Sequence, residues 1–562
     1  LAPTTRALTL PPDRSPAVAR AAHSPRQRRL PGLRRLAYPL AAVCAAVALA
    51  ACGGSSSSTT TGGSGGSASG PPTAGGSLTV LEAAGYSGDW PAGLDPATNT
   101  NGAADQSQMN AIFGDLFQLD PNGQVVGDIA TGSKFENGGK TVLIYVRRGV
   151  TFSDGTPLNA SAVAYNFKRD LASPCTCRPE WLVSSITTPD PYTVRVDLKV
   201  PDGAFIDQLL SSNAEWMASP TALQKLGEQA FKIKPVGAGP FEVVSDTLSN
   251  QLVLKKNPHY WQPGRPYLNQ LVFKSIANDE SALEAMQSGA AQAYEGATVP
   301  SIVQSFRGAE FQVTKEPSTS PYNIQLNTAS PPFNNKQARL AIYYATDASL
   351  IDQKLFGDQE PVVQSFLTPQ GLFYSGPTVP GYPTYDPAKA RAIVRSLGGL
   401  SVDLFTTAAT SINQDFIEAL QTMWKQVGIN TTIHLYSLAG VIQQFVSHHW
   451  QAALQTAGAW DPASGVGVAF RFSSLSPFSG VHDPKLDALL NQAQAAVNPA
   501  TRKALYRQTA EYIAQQAYSP FLFPLANYDI AARGVGGPGL TTPIPVQVVN
   551  STILWQDVYR RS

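Results

Sequence analysis

Six histidines, at positions 23, 259, 434, 448, 449 and 482, and four cysteines, at 44, 52, 175 and 177, are the side chains of this 562-residue chain best suited to hold a metal or to act as a nucleophile. No histidine lies in an H-E-x-x-H pattern, and no second cysteine pair answers Cys175 and Cys177 at the spacing a zinc site needs. His448 and His449 are adjacent, and adjacent side chains diverge on a helix and on a strand alike, so they read as two polar surface residues. Cys175 and Cys177 read as two ordinary thiols or one strained bridge, because a disulfide between residues two apart departs from relaxed geometry. There is no P-loop. Gly62-Gly63-Ser64-Gly65-Gly66 spells G-x-S-x-G, but no strand precedes it and no helix follows, so Ser64 is not at a nucleophile elbow. The carboxylates are scattered, with no pair that the sequence alone places across a cleft. The expectation from these patterns is a protein with no catalytic residues, no metal and no cofactor. The alternative from another class is a secreted hydrolase with a dispersed triad, which turnover assays separate from saturable binding.

The charge is unevenly placed. The formal total is +1, but residues 1–51 hold eight arginines against Asp13, +7 in all, leaving −6 for the rest. A mildly acidic body argues against a nucleic-acid partner. Arg28-Arg29 and Arg34-Arg35 precede the apolar run from Leu36 to Leu49, which is too short to span a bilayer, for which about 20 residues are needed. Leu49-Ala50-Ala51-Cys52 follows. Residues 1–51 therefore read as a signal peptide with an over-long N-terminus. Cys52 directly after Leu-Ala-Ala resembles a bacterial lipobox, in which that thiol is lipidated. Residues 52–76 are then the lipidated Cys and a Gly/Ser/Thr tether with nothing to bury.

The elements are organised around Thr141 to Asp170. Val142, Ile144 and Val146 alternate with Leu143 and Tyr145, which predicts a strand covered on both faces. Asp154-Gly155 marks a turn, and Asn159 an N-cap for a helix carrying Val163, Phe167 and Leu171. Ser281 and Glu284 form a capping box for a short helix closed by Gly289. Ser401–Thr406, Phe416–Val427 and Asn430–Tyr436 read as a parallel strand–helix–strand unit. Asp483-Pro484 and Asn498-Pro499 each start a helix with an N-cap and Pro at the first turn.

The wording goes further than the periodicity. G-V-x-F-S-D-G-T-P-L-N-A at 149–160, followed by Asn166-Phe167-Lys168-Arg169, resembles the extracytoplasmic solute-binding proteins of the peptide/nickel class, family 5, the binding components of ABC importers. Leu94-Asp95-Pro96, Pro235 to Phe241, Asn257 to Trp261 and the stretch from Asn327 through Arg339 to Asp347 resemble further elements of that family, in its order. Ala238 and Phe241 depart from the usual Thr and Tyr.

The resemblance implies an α/β fold of two lobes, the periplasmic-binding-protein fold of class II, peptide-binding type, with an extra subdomain in lobe one. Lobe one is expected to take residues 77–315 and 521–562, and lobe two 316–520. It implies a monomer on the outer face of the cytoplasmic membrane, held by a lipid at Cys52, that passes a solute to permease subunits and their ATPases. Peptide is the expected ligand, with a nickel chelate or an oligosaccharide as alternatives. In peptide-binding members a G-W-x-x-D segment supplies an aromatic wall and an Asp for the peptide's amino terminus. The matching place reads Ala457-Gly458-Ala459-Trp460-Asp461-Pro462, with no spacer between Trp and Asp. Trp460 and Asp461 are the expected ligand contacts, with Tyr86 and Trp90 facing the cleft from lobe one.

Overall fold

A computed structural model describes residues 72–83, 93–100, 105–173, 181–247, 250–308, 310–357, 359–408, 411–464, 467–546 and 552–561. Cys52, the tether as far as residue 71, Tyr86, Trp90, Cys175 and Cys177 lie outside these described residues.

Three sheets carry most of the architecture. The antiparallel sheet of Ala130–Glu136, Thr141–Val146, Thr193–Leu198 and Val183–Asp190, in that spatial order, contains the strand singled out above. Val142, Ile144 and Val146 are buried, but Tyr145 is 36% exposed, so the strand is covered on one face only, a correction to the two-sided burial expected. An antiparallel sheet is stable with one face in water. Its dry face receives Val163 and Phe167 of the helix Ala160–Ala172, whose N-cap Asn159 accepts from the Ala162 N–H at 3.1 Å.

The family-like wording turns out to be structural. Arg169 donates through both Nη atoms to Asp95, joining the helix to Leu94-Asp95-Pro96. Asn166 donates to the Ala162 and Ala218 carbonyls at 2.9 Å and accepts from the Ala218 N–H. Gly237 and Gly239 exist for close approach rather than for a turn: a Cβ on Gly237 would lie 2.3 Å from the Ile112 carbonyl oxygen. The helix Asp279–Gln287 is capped by Asn278, which accepts from the Ser281 N–H at 2.8 Å, so Ser281 lies one turn inside instead of capping it.

The second sheet has seven strands in the order Phe311–Lys315, Tyr528–Ala532, Ala293–Ala297, Ser77–Ala83, Gln270–Ile276, Gln251–Lys256, Phe241–Thr247. The third has five: Ile429–Tyr436, Leu400–Thr407, Ala452–Thr456, Pro321–Leu326, Phe521–Pro524. Leu400 to Thr407 runs parallel to Ile429 to Tyr436 with the helix Ser411–Lys425 as crossover, as the periodicity predicts.

The chain passes from the seven-stranded to the five-stranded sheet between Lys315 and Pro321 and returns between Pro524 and Tyr528. The two connections are bonded to each other: the Glu316 N–H donates to the Asn527 carbonyl at 3.0 Å, and the Leu525 N–H to the Ser320 carbonyl at 2.9 Å. Phe521–Pro524 pairs with Pro321–Leu326 in the five-stranded sheet. The return therefore falls after Pro524 and not at 520, because the apolar run Phe521–Leu522–Phe523 completes the core of that sheet first.

Candidate ligand cleft

Two groups of buried polar side chains lie where the halves of the molecule meet. The first is built on Asp461. The strand Ala452–Thr456 ends at the loop that carries Gly458, Trp460 and Asp461, and the chain there is packed tightly: a Cβ on Gly458 would sit 2.3 Å from the Thr319 carbonyl oxygen. Trp460 is 3% exposed and shares a buried apolar cluster with Phe117, Leu119 and Ile544. A Cβ on Gly123 would lie 3.7 Å from its indole Nε1. Its ring is thus buried against the hairpin Phe117–Leu119/Val125–Gly127 and the C-terminal segment.

Asp461 is fully buried. Its Oδ1 accepts from the Ala463 N–H at 2.8 Å and its Oδ2 from Arg502 Nη2 at 2.6 Å. Arg502, on the helix Pro499–Gln516, gives its Nη1 to Asp207 at 2.8 Å, and its guanidinium lies 4.9 Å from the Phe373 ring centre. Asp207 belongs to the helix Phe205–Leu210, so this ion triad ties that helix to the loop after Ala452–Thr456 and to the helix Pro499–Gln516. Neighbouring bonds follow the same seam: the Gly203 N–H donates to the Gln494 carbonyl at 2.8 Å, and Gln494 Nε2 to Asp202 at 3.1 Å. Burial, and then Asp461, push the Asp207 carboxyl well above its usual range, with Arg502 opposing them. Asp461 is thus already matched by a cation of its own chain, which the missing spacer after Trp460 does not reveal.

The second group lies at the carboxyl ends of Ser77–Ala83 and Ala293–Ala297. Glu82 and Glu295 are register partners on these parallel strands. Asp529 lies opposite Thr314 on the next pair. The helix Gln106–Phe113 faces them: Ser107 Oγ donates to Glu295 at 2.6 Å, and Gln108 Nε2 donates to Glu82. Asp105 accepts from Asn99 at 2.9 Å. Glu316, on the first connection between the sheets, shares a hydrogen bond with Asp529. Burial, and then Glu295 and Asp105, raise the Glu82 carboxyl well above its usual range. Burial and Asp529 push Glu295 to about 8, and burial pushes Asp105 to about 7. Nothing in the sequence pattern shows this cluster, because only strand register sets Glu82 beside Glu295. Among the described residues no group of three or more His, Cys, Asp or Glu is arranged to hold a metal ion, and no helix is long and apolar enough to cross a membrane.

Residues 124–475 match the profile of the bacterial extracellular solute-binding proteins, family 5, and the chain belongs to that family. The glutathione-binding protein GsiB of Escherichia coli K12 is 28% identical over 458 residues, 75% of this chain and 85% of that protein. Among solved structures, the dipeptide binding protein of Pseudoalteromonas sp. SM9913, in complex with Met-Leu, superposes with a TM-score of 0.75 at 20% identity, covering 86% of this chain and all of the other. The binding protein AgaA of A. tumefaciens R10, in complex with agropinic acid, gives a TM-score of 0.74 at 20% identity over 87% of this chain and 99% of that one. The fold is therefore the two-lobed α/β fold of peptide-binding periplasmic proteins, and the family is one of extracytoplasmic binding components of transporters.

Proposed function

We propose that this protein is the solute receptor of an ABC importer and that its ligand is a peptide, enclosed between two lobes and released to membrane permease subunits. Lobe one then comprises the seven- and four-stranded sheets, and lobe two the five-stranded sheet, roughly 316–524 with its helices. The observation that carries the reading is the pair of adjacent connections, Glu316–Ser320 and Leu525–Asn527, bonded to each other and forming a two-strand hinge. Two short hydrogen-bonded connections let two rigid bodies rotate while keeping their cores intact, and a ligand touching both bodies stabilises the closed form by its differential affinity. The names of the relatives, for glutathione and for dipeptides, favour a peptide over a nickel chelate or a sugar. A lipid on Cys52 and the Gly/Ser tether would keep the receptor at the outer membrane face near its permease.

Native mass spectrometry of protein purified from its source, followed by calorimetry with the peptide found and with Met-Leu and glutathione, tests the proposal. Saturable binding of a peptide with no product formed is the expected result. A co-purifying sugar or metal chelate with no peptide binding would overturn the peptide assignment, and turnover would overturn the receptor.

A further inference from the structure

Three buried acceptor atoms of the group at the sheet junction have no hydrogen-bond partner. Glu82 and Glu295 are 8% exposed, and Gln108 and Asp105 1%. Gln108 points its amide at Glu82, and its Oε1 has no partner; nor has Oε2 of Glu295 or Oδ1 of Asp105. All three orphan atoms accept hydrogen bonds. A buried acceptor left unpaired costs about 1–3 kcal/mol, so the site calls for a donor. Among the described residues the groups that act on the Glu82, Asp105 and Glu295 carboxyls are other acids, Ser107, Gln108 and Asn99, with no basic side chain. The chain segments next in sequence, 84–92, 101–104 and 547–551, contain neither Lys nor Arg.

We propose that Glu82, Glu295 and Gln108 form the subsite that receives a primary ammonium group of the ligand. An ammonium carries three donors and no acceptor, which suits the carboxyl and amide oxygens that strand register sets side by side in Glu82 and Glu295 and that the Gln108–Glu82 bond adds to them. A bare metal suits the place less well, since among the described residues no three carboxylates are arranged to coordinate one. The position agrees: in open α/β sheets, ligands bind beyond the carboxyl ends of the strands, and Glu316 places the cluster against the hinge. Asp461, the other carboxylate at the junction of the halves considered for a ligand cation, is matched by Arg502. The inference rests on the proposed receptor function for its choice of peptide ligands. The ammonium chemistry itself does not depend on the ligand being a peptide.

Calorimetry at pH 7 on the full chain, with Ala-Ala-Ala, N-acetyl-Ala-Ala-Ala, N-acetyl-Lys-Ala-Ala and cadaverine as probes, separates the cases. Loss of one partner of a desolvated charge pair typically weakens binding ~30-fold or more. Acetylated Ala-Ala-Ala should bind at least that much more weakly than the free tripeptide if the ammonium is the amino terminus. N-acetyl-Lys-Ala-Ala binding as the tightest peptide assigns the subsite to a lysine side chain instead. Glu82→Gln and Glu295→Gln should each weaken every ammonium probe ~30-fold or more while leaving Tm at pH 7 little changed, because burial already keeps these carboxyls largely protonated in the free protein and Gln is a neutral group of the same shape. A merely structural role would lower Tm, and a variant that melts earlier and binds weakly overturns the subsite. So do variants that bind like the parent. Cadaverine binding that both variants lose, with no tripeptide bound by the parent, removes the peptide reading and keeps the subsite. No binding of any probe to the parent protein overturns both.

Discussion

Arg502 is the side chain on which the local electrostatics turn. It is buried, and it reaches Asp461 through one Nη and Asp207 through the other. Removing one of two carboxylate partners costs less than removing the cation, which strands two buried acids. Asp461→Asn should lower the unfolding free energy by about 1.5–3 kcal/mol, the range for a hydrogen bond to a charged group. Arg502→Met should cost about 3–5 kcal/mol. Urea denaturation of the two variants gives the order directly, and equal midpoints would mean the triad is not formed in solution. Trp460 stands out in the sequence through its match to the family's G-W-x-x-D segment. Its burial against Leu119 and Ile544 does not, since those partners are separated from it by hundreds of residues in one direction and tens in the other. Arg502 escaped for the same reason: a lone Arg three residues after Pro499 has the look of a solvated helix residue until Asp207 and Asp461 are brought to it.

Helix and strand identity follow closely from local signals, and their surroundings do not. The caps at Asn159, Asp483 and Asn498 each accept backbone N–H groups where the residue types predict. Asn159→Ala should cost about 1 kcal/mol of stability, seen in thermal or urea melts, and Asn159→Ser should restore most of it. The misplaced cap at Ser281 shows the limit of such reasoning: Asn278 and Ser281 are both good capping types, and the strand ending at Ile276 settles which is used. The one-sided burial of Thr141–Val146 is a similar case. Tyr145 and Leu143 are apolar enough to suggest a second covering layer, yet tyrosine tolerates water on an open sheet face. Family-like wording located the strand–turn–helix correctly, and the contacts explain the wording: Arg169 holds Asp95 and Asn166 holds the Ala218 backbone.

Taken as one body, the protein buries many carboxyls whose proton affinity is raised: Glu295 to about 8, Asp105 and Asp128 to about 7, Asp202 to about 6, each chiefly by desolvation. A folded state that binds protons more tightly than the unfolded chain is fully stabilised by them below the unfolded value near 4 and loses that stability as pH rises through the folded values. The unfolding free energy should therefore be greatest near pH 4–5 and fall toward pH 8, at up to about 1.4 kcal/mol per group for each pH unit of its window. Asp483, held low by the Tyr518 and Tyr512 hydroxyls against burial, adds an opposite dependence only at more acid pH. Chemical denaturation across pH 4–9 checks the slope, and Glu295→Gln should flatten it. For the anchor, Cys52→Ser should move the protein from the membrane to the soluble fraction, since acyl chains supply ~0.8 kcal/mol per buried CH₂. Continued membrane association of that variant would remove the lipid from the proposal.

The strand Tyr528–Ala532 lies between Ala293–Ala297 and Phe311–Lys315, inside the seven-stranded sheet and not at its edge. Synthesis runs in one direction, so Phe311–Lys315 waits without its neighbour while more than two hundred further residues are made. The sheet that begins with Ser77 can close only after the chain has laid down nearly everything else. Such an order keeps the nascent polypeptide open until its last stretch emerges, which is the condition a protein needs if it is to be threaded through a narrow export channel before it folds.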